Sequence, residues 1–282
     1  MRTDQLGVQL HCLRHAVREG LADTLGKIRG LGFEVVELVS FPGCRGNPWG
    51  DFGAASDLAP GSIRAALDDA GLRCPSVMVY EKELSADGLD GVLEWARGVG
   101  ADTVVLTALA APSLPTLAQW QVTVERANQH AERCRGRGMT FVLHTQPELW
   151  ASVERHRPID CIGSWLDREL VSLEYDPSGA LVHRADPLEL LSRWPGRFHA
   201  VHLRDGQVPT EPVPYLPALP LGQGCVDWGA FLRACRSVDV SWYFLEMEVA
   251  DPGDTLGAFS SSLAHLAGLG IPGRHPPGVA RE

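Results

Sequence analysis

Phe198-His-Ala-Val-His-Leu-Arg-Asp205 is the stretch that decides the fold. Phe198, Ala200 and Val201 are apolar, and Trp194-Pro195-Gly196 breaks the chain just before them, so a short buried strand is predicted. His202, Arg204 and Asp205 arrive where that strand leaves the core. Polar groups at such a point are costly to desolvate unless they serve one another or a ligand. The rest of the chain repeats the pattern of an apolar run ending in ionisable residues.

Strand-like runs are Leu6–His11, Phe33–Val39, Cys74–Tyr80, Asp102–Thr107, Met139–Thr145, Val171–Asp176, the opening stretch, and Trp242–Met247. Between them, apolar residues recur at helical spacing: Leu21, Leu25, Ile28 and Leu31, then Ile63, Leu67 and Ala70, then Leu89, Val92, Leu93 and Ala96. Val124, Ala127, Ala131 and Cys134 continue the series, as do Trp228, Phe231, Leu232 and Cys235, then Leu256, Phe259, Leu263 and Leu266. Gly32, Gly71, Gly98 or Gly100, and Gly136 or Gly138 stop four of these helices. A turn-rich loop holds Pro42, Gly43, Gly46, Pro48 and Gly50, and a second irregular loop runs from Gly206 to Gly224. Residues 150–170 carry no clear pattern, because Pro158 and Gly163 interrupt any helix begun at Trp150 or Val153.

Eight strand–helix units with strands apolar on both faces predict a (β/α)8 TIM barrel, an α/β fold in one domain over residues 1–270, with a frayed tail at 271–282. An open doubly wound sheet calls for a glycine-rich fingerprint after the first strand, and His11-Cys-Leu-Arg14 has none.

Composition narrows the partners. A formal net charge of −10 with scattered basic residues argues against nucleic acid. No apolar run approaches the roughly 18 residues of a membrane span, and Met1-Arg-Thr-Asp-Gln-Leu6 has no apolar signal region. Seven cysteines without a CxxC pair point to a reducing cytoplasm rather than a disulfide framework. Oligomeric state is not written in the sequence, although Val213–Leu219 suits a lid or a homo-oligomer contact.

In a barrel the strand C-termini converge on one mouth. The polar residues there are His11, Glu37, Glu81, His144, Asp176, His202 and Glu246. Taken singly, each has a blander reading. Asp176-Pro177 is a turn signal, and an isolated His202 or His144 is a hydrogen-bonded structural residue. Taken together, two carboxylates and two imidazoles from strands five to eight form an N/O set suited to one divalent metal: Mn²⁺, Mg²⁺, Fe²⁺, Co²⁺ or Zn²⁺. Carboxylates crowded without a cation would raise one another's pKa values.

The chain resembles the xylose isomerase-like TIM barrels, the superfamily of sugar phosphate isomerases/epimerases that also holds inosose dehydratases and endonuclease IV. The resemblance runs from about Leu6 to Gly268 and is carried by Gly32-Phe-Glu-Val-Val-Glu-Leu38, Leu173-Glu-Tyr-Asp176, Asp186-Pro-Leu-Glu-Leu-Leu191, Pro195–Asp205, Leu221-Gly-Gln-Gly-Cys-Val-Asp-Trp228 and Tyr243-Phe-Leu-Glu246. It implies that Asp176, His202 and Glu246 are metal ligands. The fourth ligand of the family is usually a Glu at the end of strand five, where this chain has His144. Three readings follow: His144 ligates, Glu148 swings in, or water completes the site. The family's usual Lys after the strand-seven His is Arg204 here, which cannot donate a proton near neutral pH but can hold a carboxylate or hydroxyl pair.

The resemblance implies a metal-dependent isomerase or epimerase, or a dehydratase, acting on a sugar, keto-sugar or cyclic polyol through an ene-diolate. Glu246, Glu148 and His144 are the acid/base candidates, and Glu37, His11 and Arg204 the substrate-binding ones. Two rivals stand beside it. One is a barrel that has lost catalysis and acts as a binding or accessory protein, favoured by the missing strand-five Glu. The other is an endonuclease IV-like nuclease, disfavoured by the acidic charge and the proline-rich loops.

Overall fold

The eight predicted strands are all present, each within two or three residues of its expected bounds. A computed structural model describes residues 1–39, 58–84, 88–108, 116–211, 213, 216–247 and 254–271. The strands are β1 (Leu6–Gln9), β2 (Val35–Val39), β3 (Ser76–Tyr80), β4 (Thr103–Ala108), β5 (Thr140–His144), β6 (Val171–Tyr175), β7 (Phe198–Leu203) and β8 (Trp242–Leu245). They pair in parallel in chain order, and β8 returns to β1 through Leu6↔Tyr243 and Gly7↔Phe244, closing the barrel. The predicted (β/α)8 architecture is therefore the one observed.

Around the barrel lie α1 (Arg14–Glu19), α2 (Leu21–Gly30), α3 (Pro60–Ala70), α4 (Leu89–Val99), α5 (Leu117–Arg135), α6 (Pro158–Trp165), α7 (Ser178–Val182), α8 (Glu189–Arg193), α9 (Trp228–Ser237) and α10 (Thr255–Gly268). Gly71 and Gly100 end α3 and α4 in the left-handed region, at φ 67° and 93°, where a side chain would be strained. The pattern-poor stretch 150–170 contains α6, and Pro158 opens that helix instead of interrupting it. Proline is tolerated in the first helical turn because its missing N–H has no partner there in any case. The turn-rich loop with Pro42 to Gly50, Cys44, and the tail beyond Ile271 lie outside the described residues. Of the Gly206–Gly224 loop, the described residues form neither helix nor strand, as expected. The cysteines among the described residues are free thiols. No helix among the described residues is long and apolar enough to cross a membrane.

Strand alternation sorts side chains into two environments. Val36, Leu38, Leu173, Tyr175, Val201 and Leu203 join the large core between barrel and helices. Val35, Ala200 and Phe244 form a small apolar cluster inside the barrel, and Val39, Met78, Val105 and Val142 form another. Gly7 makes the first possible, since a Cβ there would lie 2.7 Å from the Val35 carbonyl oxygen and 2.9 Å from Phe244. Two residues further along β2, β7 and β8 the same inward face carries Glu37, His202 and Glu246. On the β7–β8 side the barrel interior thus changes from apolar to ionisable as it approaches the mouth, whereas on β2 the apolar Val39 follows Glu37.

Candidate metal centre

Inward-facing positions at the ends of β5 to β8 bring four side chains together. His144, Asp176, His202 and Glu246, all buried, each offer one nitrogen or oxygen, and these atoms lie within 4.8 Å of one another. His144 Nε2 faces His202 Nδ1 at 3.3 Å and Asp176 Oδ2 at 4.0 Å. His202 Nδ1 lies 2.5 Å from Glu246 Oε2. Arg204, one inward position beyond His202 on its strand, sets Nη1 3.4 Å from Asp176 Oδ2 and 3.3 Å from Glu246 Oε1. Asp176 is held from behind by Ser178 N, which donates to Oδ1 at 2.7 Å, and its own N–H donates to Thr145 Oγ1 at 3.0 Å.

The donor set fits a divalent cation. Two ligand atoms at about 2.05 Å from a tetrahedral ion are about 3.3 Å apart. The two imidazole nitrogens have that separation, while Glu246 Oε2 sits closer to His202 Nδ1, at 2.5 Å, and Asp176 Oδ2 farther from His144 Nε2, at 4.0 Å. Two nitrogens and two carboxylates are the mixture that Zn²⁺, Fe²⁺, Co²⁺ and Mn²⁺ accept.

The electrostatics favour ligating forms of His144 and Glu246, while His202 and Asp176 must give up protons to bind a cation. Burial, followed by the neighbouring His202, pulls the His144 imidazole down to about 3, so it is neutral and offers a lone pair at neutral pH. Burial works against the charge of Glu246, yet Arg204 and His202 hold its carboxyl well below the usual range. Asp176 is raised by burial, with Arg204 opposing the shift. Burial likewise opposes charge on His202, but Glu174 and Glu246 raise that imidazole well above its usual value.

The remaining candidates fall elsewhere. Glu148 is half-buried on the turn Pro147–Trp150 after β5, outside the group of four, and burial raises its carboxyl. His11 is buried in the turn Leu10–Leu13 that follows β1, where its backbone N–H donates to Gln9 Oε1 at 2.6 Å. Glu81 lies on the turn after β3 and pairs with Arg126 at 2.6 Å. Glu37, at 0% exposure, accepts from Ser76 Oγ at 2.5 Å and lies 3.2 Å from His202 Nε2, beneath the mouth.

Glu174 was not singled out from the sequence. Also at 0% exposure, its Oε2 lies 3.3 Å from His202 Nε2. Strand parity was the available signal: Glu174 precedes Asp176 by two and shares its inward face. Asp205, by contrast, turns away from the cluster. Its carboxylate accepts from the backbone N–H groups of Gly206, Gly222, Gly224 and Val226 and from Trp228 Nε1. It thereby ties the loop between β7 and α9 to the barrel.

Comparison with known proteins agrees with the fold. Residues 25–268 match the family described as Xylose isomerase-like TIM barrel. An inosose dehydratase of Geobacillus kaustophilus (strain HTA426) is 26% identical over 223 residues, covering 67% of this chain and 72% of that protein. Among solved structures, a sugar phosphate isomerase/epimerase from Parabacteroides distasonis ATCC 8503 superposes with TM-score 0.78 at 16% identity, covering 94% of this chain and 96% of the other. The IOLI protein with a bound zinc atom superposes with TM-score 0.71 at 14% identity, covering 94% and 97%. At such identities the structural likenesses are likenesses of fold.

Proposed function

Because the chain belongs to the xylose isomerase-like TIM barrel family, we propose that it is an enzyme that binds a divalent cation through His144, Asp176, His202 and Glu246. Its substrate on this reading is a sugar, keto-sugar or cyclic polyol, which it isomerises or epimerises. The observation that carries the reading is the convergence of four donor atoms within 4.8 Å from the ends of four successive strands. A cation held there by these four residues would supply Lewis-acid polarisation of neighbouring substrate oxygens.

The protein's own groups divide the remaining work. Glu246, held as a carboxylate by Arg204 and His202, is the base. Glu148, whose burial favours its protonated form, is the acid that returns a proton. Neutral His144 keeps a lone pair toward the site in place of the usual strand-five Glu. Arg204 spans Asp176 and Glu246 and stays charged throughout, so it orients groups without transferring protons. Glu37 is better suited to acting on His202, whose Nε2 lies 3.2 Å away, than to touching substrate, since it is wholly buried under the ligand layer. His11 is kept as a substrate-side residue at the β1 end of the mouth.

A second reading, dehydration of a cyclic polyol or keto-sugar, is favoured by the relative named inosose dehydratase. Both reactions begin with proton loss beside a carbonyl and differ in what leaves next. The test is incubation of the cation-loaded protein with keto-sugars and inososes in deuterated water, followed by mass analysis. Deuterium gain without mass loss supports isomerisation or epimerisation, and loss of water supports dehydration. Neither change, together with no bound cation, removes the enzymatic reading and leaves the accessory-protein one.

A further inference from the structure

Beneath the mouth the barrel holds a second group of potential ligands: Glu37 on β2, Glu174 on β6 and the far nitrogen of His202 on β7. Nε2 of His202 lies 3.2 Å from Glu37 Oε2 and 3.3 Å from Glu174 Oε2. Those lengths again match the ~3.3 Å edge of a tetrahedral shell with bonds near 2.05 Å. Ser76 Oγ donates to the other oxygen of Glu37 and fixes its direction.

Glu174 is the observation that points to a ligand. It is completely buried; Oε1 has no hydrogen-bond partner among the described residues, and the polar neighbour of Oε2 is His202 Nε2 at 3.3 Å. Nε2 of His202 carries at most one hydrogen, and the hydrogen-bonding geometry there is with Glu37. A buried carboxylate without a donor is costly, and a cation between the two glutamates removes that cost.

Formal charge points the same way. With every carboxyl ionised, Glu37, Glu174, Asp176 and Glu246 carry four negative charges, and Arg204 lies beside Asp176 and Glu246. One dication at the mouth together with Arg204 leaves a single negative charge uncompensated. A second dication, with the His202 ring giving up its N–H proton, brings the cluster to neutrality.

We propose that Glu37, Glu174 and His202 Nε2 form a second divalent-cation site in the barrel interior, so that His202 bridges two cations through its two ring nitrogens. Loading the inner site displaces the proton held by the Glu174 carboxyl and the His202 N–H proton, both released to solvent, and no oxidation or reduction occurs. The proposal goes beyond the mouth site and rests on the mouth reading only for the bridging of His202; the inner ligands stand without it.

The experiment is Zn²⁺ loading of the full chain, removal of excess metal, and elemental analysis, with circular dichroism as the check on folding. Wild type is expected to retain two equivalents per chain. Glu174→Gln is expected to retain one, at the mouth, and Asp176→Asn one, inside. One equivalent in wild type that Glu174→Gln also keeps overturns the inner site while leaving the mouth site intact. One equivalent lost in Glu174→Gln but kept in Asp176→Asn overturns the mouth site and supports the inner one. No retained Zn²⁺ in wild type overturns both. Should Glu174→Gln fail to fold, anomalous scattering from Mn²⁺-soaked wild-type crystals decides instead. A peak between Glu37 and Glu174 supports the proposal, and a peak at the mouth alone overturns it.

Discussion

His144 and Glu174 are register partners across β5 and β6, and they face opposite nitrogens of one imidazole. His144 Nε2 approaches His202 Nδ1 at 3.3 Å, while Glu174 Oε2 approaches His202 Nε2 at 3.3 Å. His202 therefore separates two polar layers of the barrel: an upper one open to ligand chemistry and a lower one fully enclosed. Several expectations depend on that division.

Asp176→Asn keeps the hydrogen bond from Ser178 but presents a neutral amide to the mouth. Its Zn²⁺ affinity there is expected to fall by more than the roughly 10–100-fold that loss of an outer partner costs, with turnover falling in parallel. Calorimetric titration of the cation-free protein checks this. Unchanged affinity would remove Asp176 from the ligand set.

The cation-free protein is expected to respond to pH in two opposed ways. Burial, with Glu37 adding to it, pushes the Glu174 carboxyl up to about 8, so the folded state binds more protons than the unfolded one between about 4.5 and 8. Stability from this group is present at low pH and is lost as pH rises through that window, at up to about 1.4 kcal/mol per pH unit. His144 runs the other way: its folded value near 3 lies below the unfolded 6.5, so its contribution is lost as pH falls between those values. Denaturation curves of Glu174→Gln should lose the decline between about pH 4.5 and 8, and those of His144→Gln should soften the decline on the acid side.

Arg204→Met removes the guanidinium that holds Glu246 ionised. The acid limb of kcat/KM is expected to move to higher pH, with kcat at neutral pH reduced. Arg204→Lys, which keeps the charge but loses the planar fork, should shift the limb less. An unmoved limb in Arg204→Met would mean that Glu246 is not the base.

Asp205→Ala leaves five donors without their acceptor, from Gly206, Gly222, Gly224, Val226 and Trp228. Loss of a buried, multiply bonded carboxylate is expected to cost on the order of 3–5 kcal/mol. Guanidinium denaturation measures this. Hydrogen exchange should also rise first in the loop between β7 and α9.

What the sequence by itself determined was the periodic part of the molecule. Apolar runs, four of them just after a glycine that stops a helix, located the eight strands, because closing a parallel barrel buries both faces of every strand. Polar residues at or next to the ends of β5 to β8 marked His144, Asp176, His202 and Glu246, because strand ends converge in this architecture. Pro158 misled, since its position within a helix, not its presence, decides whether it breaks one. Only the tertiary structure decided which interior layer each polar residue joins. Glu37 and His202 are 165 residues apart, yet they meet at 3.2 Å because the closed barrel sets β2 and β7 across a common interior. Strand parity says that Glu174 points inward. It cannot say that the group waiting there is the far side of a histidine whose near side already faces the mouth, because that depends on how the eight strands stagger around the barrel.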